Sequence, residues 1–294
     1  MPVIGDYLAL AVEKILFATD FSVSSEKAAA YARALAHRFA STVEIVHVFD
    51  PSVVSTYEEA IIGLPLNERR RMSAERLERL RGDFFSVGVT ARATLPEGHR
   101  PSVRLLEVAN ENKVDLIVAG MHSKPEVERM VLGSTAERLI RNAQCPVLTI
   151  GPNARPPKAD PLCFQTILFA TDFSPQAAKA AIYALSFAED SGAKIYFCHV
   201  RGVSAHPDAN QSLYERFESD LKRMIPERSY DWCNPECVVE QGDAAEAILG
   251  LAERTQADLI VMGARKASFW LTHIKRGLTL DLLAEATCPI LTVS

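Results

Sequence analysis

The first 144 residues contain no cysteine, and the chain of 294 has six in all. That density excludes a disulfide scaffold and leaves reduced thiols as the simplest reading. Cys233 and Cys237, in CNPEC, are separated by three residues, which is no standard zinc spacing, and no second pair lies nearby; they read as structural. Long apolar runs are missing as well: nothing approaches the roughly 20 residues that cross a bilayer. The apolar patch in the opening MPVIGDYLALAVEK follows no basic segment, so a cytoplasmic protein without a membrane contact is expected. Positive charge is in deficit, with a net charge of −5 and a pI near 5.9, which argues against a general nucleic-acid or anionic-membrane binder. Catalytic signatures are absent too. No Walker A sequence, GxGxxG, GxSxG elbow or HExxH occurs, so no nucleophile or general base stands in a recognisable setting.

What is present is enough apolar material, 48% of residues, to bury a substantial core, and a length that favours two domains. Lys14 to Thr19, KILFAT, is apolar on successive positions, as a central parallel strand must be. After Asp20, Ser22 is placed to cap a helix whose Ala28, Tyr31, Leu35 and Phe39 form one stripe. A strand at Val43 to Phe49 follows, then a long connection from Asp50 to Asn67 carrying AIIGLPL. That length fits a lid, a partner surface or a mobile excursion. A helix over Glu68 to Phe85 carries six arginines, but Glu68, Glu75 and Glu78 are interleaved, so a solvated face is expected there. A strand at Val89 to Leu95, a helix around Val103 to Asn112, the strand DLIVAG, a further helix and the strand closing at Ile150 complete the unit. Such alternation implies an α/β domain with a parallel sheet and helices on both faces.

The chain then starts again. GPNARPPKADP has the composition of a semi-rigid linker, which divides a first domain, 1–151, from a second, 162–294, by a linker at 152–161. ILFATDFS at Ile15 to Ser22 recurs letter for letter at Ile167 to Ser174, and the HV pair at His47 recurs at His199. The DLIV strand and the Cys-Pro pair after it also recur, at Asp258 and Cys288. A duplicated domain accounts for all four matches. In the second copy Pro175 follows Ser174, a cap followed by proline at the first helical position.

The DFS turn, the HV strand, DLIVAG with the spaced glycines and GSTAERLI, and the closing CPVL together resemble the universal stress protein family in its tandem form. The resemblance covers nearly the whole chain twice. It implies two Rossmann-like, doubly wound domains, each a five-stranded parallel sheet of order 3-2-1-4-5. It also implies a nucleotide site at the carboxyl ends of the first and fourth strands, the edge where open α/β sheets receive ligands. The ligand implied is ATP, with or without Mg, held by Asp20 on the adenosine part, Val43 near the base, and Gly120, Ser123, Gly133, Ser134 and Thr135 on ribose and phosphates. Glycine lets the backbone approach a ligand, and a helix start offers free N–H groups to phosphate. Ser123 replaces one of the three family glycines. Ser134 lies three residues before Glu137, so Gly133 and Ser134 also read as a plain capping box.

At equal spacing in the second copy, Lys266 and Arg276 replace the second and third glycines and Gly277 the serine, so its phosphate signature is broken. Arg265, Lys266, Lys275 and Arg276 leave open an altered anionic ligand there. The resulting expectation is a cytosolic stress-response protein using ATP as a regulatory ligand or slow substrate in its first domain. A nucleotide-independent scaffold for dimerisation and partner binding is the alternative. The short apolar closing strands VLTI and ILTV further imply a homodimer or an internal pseudo-dimer, with an unidentified protein partner.

Overall fold

A computed structural model describes residues 11–52, 64–121, 134–202, 207–264 and 278–294. Two compact units emerge, one holding the described residues of Ala11–Pro152 with Pro156–Leu162, the other Asn153–Arg155 with Cys163–Ser294. The proline-rich stretch is therefore not a free spacer throughout. Within the first unit the Leu162 amide donates to the Ala34 carbonyl at 3.0 Å, and His37 holds Asp160.

The first unit runs β1 (Lys14–Ala18), α1 (Val23–Phe39), β2 (Thr42–Val46), α2 (Leu66–Ser86), β3 (Ala91–Thr94), α3 (Pro101–Asn112), β4 (Leu116–Gly120), α4 (Ser134–Asn142) and β5 (Val147–Ile150). Its strands pair in parallel in the order β3-β2-β1-β4-β5, the expected 3-2-1-4-5. Ile15, Leu16 and Phe17 are all fully buried. Successive strand residues point to opposite faces, so burial of all three means that both faces of β1 are covered.

The second unit repeats this with β6 (Thr166–Ala170), α5 (Pro175–Ser191), β7 (Lys194–Arg201), α6 (Pro207–Met224), β8 (Pro235–Gln241), α7 (Ala244–Thr255), β9 (Leu259–Gly263), α8 (Leu278–Glu285) and β10 (Ile290–Val293). Its order is β8-β7-β6-β9-β10, again parallel. A short 3-10 turn over Glu227–Asp231 leads into β8.

Local signals explain the element boundaries. Ser22 Oγ accepts from the Ser25 amide at 3.3 Å and caps α1; Ser174 Oγ does the same for Ala177 at 3.2 Å, with Pro175 as the first residue of α5. The repeated aspartate of DLIV has a plain structural duty. Asp115 Oδ2 accepts from the amides of Glu13 and Lys14, and Asp258 Oδ2 from those of Gln165 and Thr166, tying the start of the fourth strand to the start of the first.

Three of the six arginines of α2 are ion-paired. Arg70 meets Glu97 at 2.8 Å, Arg71 meets Glu68 and Glu75 at 2.9 Å each, and Arg81 meets Glu78 at 2.7 Å. Glu75 thus turns back to Arg71 rather than forward to Arg79. The AIIGLPL stretch lies largely outside the described residues; at its end Leu64 and Leu66 are exposed. No helix among the described residues is long and apolar enough to cross a membrane.

Candidate functional site

The centre of the first unit's carboxyl edge is the turn that follows β1. Phe21 sits at φ 60°, a left-handed conformation that costs a bulky residue on the order of 1–3 kcal/mol. Three side chains hold it there. Thr19 Oγ1 accepts from the Phe21 amide at 3.0 Å, Asp20 Oδ1 accepts from the Ser22 amide at 3.0 Å, and Ser22 caps α1. Thr19 Oγ1 also donates to Ser25 Oγ at 3.1 Å, and Ser25 Oγ donates to the Ser22 carbonyl at 2.8 Å. The turn presents Asp20 exposed at the end of the central strand.

His47 locks the turn from the next strand. Its Nδ1 lies 2.9 Å from the Thr19 carbonyl, an acceptor only, so Nδ1 carries the proton. Its ring packs on Phe21 with centroids 4.4 Å apart. The second unit builds the same object. Phe173 has φ 58°, Thr171 and Asp172 accept from the Phe173 and Ser174 amides at 3.0 Å each, and His199 Nδ1 lies 2.9 Å from the Thr171 carbonyl. The letters HV and TDFS therefore recur together because the histidine of one strand fastens the turn after its neighbour.

Gly120 ends β4 beside this turn, and the sheet gives it a different duty from the one its spacing implies. A Cβ at Gly120 would lie 2.5 Å from the Ser24 carbonyl oxygen and 2.8 Å from the Ser25 amide nitrogen. The first turn of α1 rests directly on it. Gly263 is covered in the same way by the backbone of Gln176 and Ala177, with the nearest atom at 2.5 Å. Close helix–strand packing accounts for both glycines without a ligand.

Val43 requires a correction. It is 1% exposed and paired with Ile15, at the amino-terminal end of the sheet. Asp20 follows the opposite end of β1, five residues on, so about 16 Å of strand separates the two levels. The valine that reaches the ligand edge is Val48, just after His47 and 8% exposed. The repeated HV pair, rather than the start of the strand, is the signal for it.

Ser123 and Gly133 lie outside the described residues, as do the second copy's Arg265, Lys266, Lys275, Arg276 and Gly277. Helix α4 begins at Ser134, already helical, and Thr135 is half-buried in its first turn. Glu137 Oε1 pairs forward with Arg141 at 2.9 Å. The register, with Ala18 beside Ala119 and Gly120 beside Ile150, brings Asp20 and Gly120 to one edge with α4 following. Val43 is not among them.

Five of the six thiols are shifted by burial. Burial pushes Cys145 and Cys237 up to about 11 and Cys198, Cys233 and Cys288 up to about 12, so all five are protonated at neutral pH. Among the described residues no cluster of His, Cys, Asp and Glu could hold a metal ion.

Two successive copies of an open parallel sheet, each closing its central strand in the same hydrogen-bonded TDFS turn, define a duplicated doubly wound α/β protein. Its natural ligand edge is the carboxyl end of the sheet. The chain belongs to the universal stress protein family, which matches residues 11–151 and 164–294. A universal stress protein of Methanocaldococcus jannaschii is 33% identical over 149 residues, covering 47% of this chain and 81% of that protein. One of Thermus aquaticus is 34% identical over 140 residues, covering 46% and 96%. The crystal structure of a universal stress protein from Archaeoglobus fulgidus is similar in fold over 97% of this chain and 99% of that one, with a TM-score of 0.70 and 21% identity.

Proposed function

We propose that the N-terminal domain binds ATP at the carboxyl edge formed by β1, β4 and the start of α4, as a regulatory ligand in a cytosolic stress response. The observation that carries this reading is asymmetric. Both copies keep the turn that presents Asp20 or Asp172, but only the first keeps glycine and serine, Gly133 and Ser134, where α4 begins. An exposed carboxylate suits the hydroxyls of a ribose, and the amides of a helix start suit phosphate. Thr135, Ser134, Gly133 and Ser123 would meet the phosphates, and Val48 rather than Val43 would lie toward the base. ATP would contribute its phosphate charge, with Mg accompanying it where the polyphosphate needs neutralising. Gly120 serves by letting α1 close on β4.

In this reading the C-terminal site is degenerate. ATP sets the conformation of the protein and its choice of partner, and a homodimer is the assembly to be tested by mass in solution. Calorimetry of the whole chain with Mg·ATP should show uptake that Asp20→Ala and Gly133→Arg each abolish. No binding at millimolar ligand would overturn the proposal. A nucleotide-independent scaffold is the second reading, favoured by the packing duty of Gly120 and Gly263. It predicts that both variants leave self-association unchanged.

A further inference from the structure

The two copies of the TDFS turn share the backbone bonds accepted by Thr, Asp and Ser and the histidine lock, while Ala177 stands in place of Ser25, and they differ in what lies over them. In the first unit α2 places the Arg76 guanidinium over Phe21, 5.3 Å from the ring centroid. In the second, α6 places the phenyl ring of Phe217 there. It stacks on Phe173 at 6.1 Å with only 10° between the ring planes, and lies 4.4 Å from the centroid of His199. Each side chain comes from the helix after the second strand, and each covers the left-handed phenylalanine of the turn. One copy carries a flat cation at that point, the other a third aromatic ring that closes the cluster on itself.

We infer that Arg76 contacts the nucleoside end of the ligand in the N-terminal domain and that Phe217 fills the corresponding place in the C-terminal one. This rests on the nucleotide reading above. The central strand β1 separates β4 and α4 on one side from β2 and α2 on the other. Phosphates at the start of α4 therefore direct the other end of the molecule across Asp20 toward Phe21, His47 and α2. A guanidinium stacked on an aromatic ring is the kind of planar, cationic surface on which a purine stacks. Phe217, by contrast, already satisfies the faces of Phe173 and His199 with its own ring. The C-terminal domain thus departs from its twin at both ends of the site, in the sequence before α8 and in the ring over the turn.

The test uses the full chain and two probes, Mg·ATP and adenosine, titrated by calorimetry. Arg76→Phe installs the residue type that the C-terminal domain uses. Its ring should turn onto Phe21 and His47 as Phe217 does onto Phe173 and His199, leaving no guanidinium for the purine and weakening both probes by on the order of tenfold, the scale of one base-stacking contact. Gly133→Arg should weaken ATP and leave adenosine unchanged. If wild type binds and Arg76→Phe binds both probes within twofold, with an unchanged melting temperature, the inference fails while the nucleotide reading stands. If Arg76→Phe loses ATP and keeps adenosine, Arg76 belongs to the phosphate end and the inference is equally overturned. If wild type takes up neither probe, the nucleotide reading itself fails and takes the inference with it. Should Arg76→Phe melt more than a few degrees early, Arg76→Gln, which keeps a planar polar head, carries the same readings.

Discussion

Replacing Gly120 with alanine separates a packing role from a ligand role more sharply than any ligand titration. The added Cβ would stand 2.5 Å from the Ser24 carbonyl oxygen, 2.6 Å from its carbon and 2.8 Å from the Ser25 nitrogen. All three are backbone atoms in the first turn of α1, so no side chain can swing aside. The turn must retreat by roughly half an ångström, and with it the Ser22 cap and the Thr19–Ser25 bond. Overpacking of this kind costs about 1–3 kcal/mol. Alanine also restricts the unfolded chain, which offsets about 0.4–1 kcal/mol. The net expectation is a loss of about 1–2 kcal/mol, a fall in melting temperature of roughly 2–8 °C for a domain of this size. Gly263→Ala should cost the C-terminal domain a similar amount, because Ala177 and Gln176 crowd it in the same way. Gly82→Ala is the internal control. Gly82 lies within α2 with no atom near its missing Cβ, so alanine should stabilise by about 0.5–1 kcal/mol. Scanning calorimetry of the three variants decides the matter. A Gly120→Ala protein that melts with wild type but binds ATP weakly would refute the packing argument and return the glycine to the ligand.

Two further expectations concern protonation. His37 donates from Nδ1 to Asp160 and from Nε2 to the Val87 carbonyl at 2.6 Å, so both bonds require the imidazolium; the Asp160 bond raises its pKa above 6.5 against desolvation and the nearby Arg33. A raised pKa means stability that is complete below about pH 6.5 and lost as pH climbs through the higher folded value. The stability difference between wild type and His37→Gln, from urea unfolding, should therefore shrink between pH 5.5 and 8.5, by no more than about 1 kcal/mol because Asp160 is half exposed. A difference that grew with pH would contradict the assignment. The five raised thiols should resist iodoacetamide at pH 8 in the native protein and label on unfolding, as read by intact mass; rapid native labelling of Cys198 or Cys288 would show that burial does not protect them.

The sheet was legible in the sequence because its signals are local and repeated. Apolar runs such as KILFAT mark strands buried on both faces, Ser22 and Ser174 mark helix starts, and a repeat of eight identical letters marks the duplication. The site was less legible for two reasons. Glycine at a strand end has two physical causes, ligand approach and helix packing, and only the distance from Gly120 to the α1 backbone separates them. Val43 shows the other difficulty. A position along a strand fixes a level in the sheet only when the register is known, and pairing with Ile15 puts Val43 at the amino-terminal end. Arg76 was hidden among paired arginines, because a cation over an aromatic ring leaves no trace in spacing.

The second copy also tests which features of the first concern a ligand at all. Whatever recurs unchanged where the phosphate sequence is broken is accounted for by folding. The turn bonds of Thr171 and Asp172, the His199 lock and the crowded Gly263 all recur. Their counterparts in the first copy, Thr19, His47 and Gly120, therefore carry no weight as evidence for nucleotide. Asp20 joins them, since Asp172 makes the same Oδ1 turn bond and is equally exposed. The weight falls on the differences, Gly133 and Ser134 against Arg276 and Gly277 at one end and Arg76 against Phe217 at the other. One difference is read from the sequence alone, the other from the ring or cation that covers the turn. If the proposed nucleotide reading holds, both differences are what a domain freed from binding would accumulate while its fold was maintained.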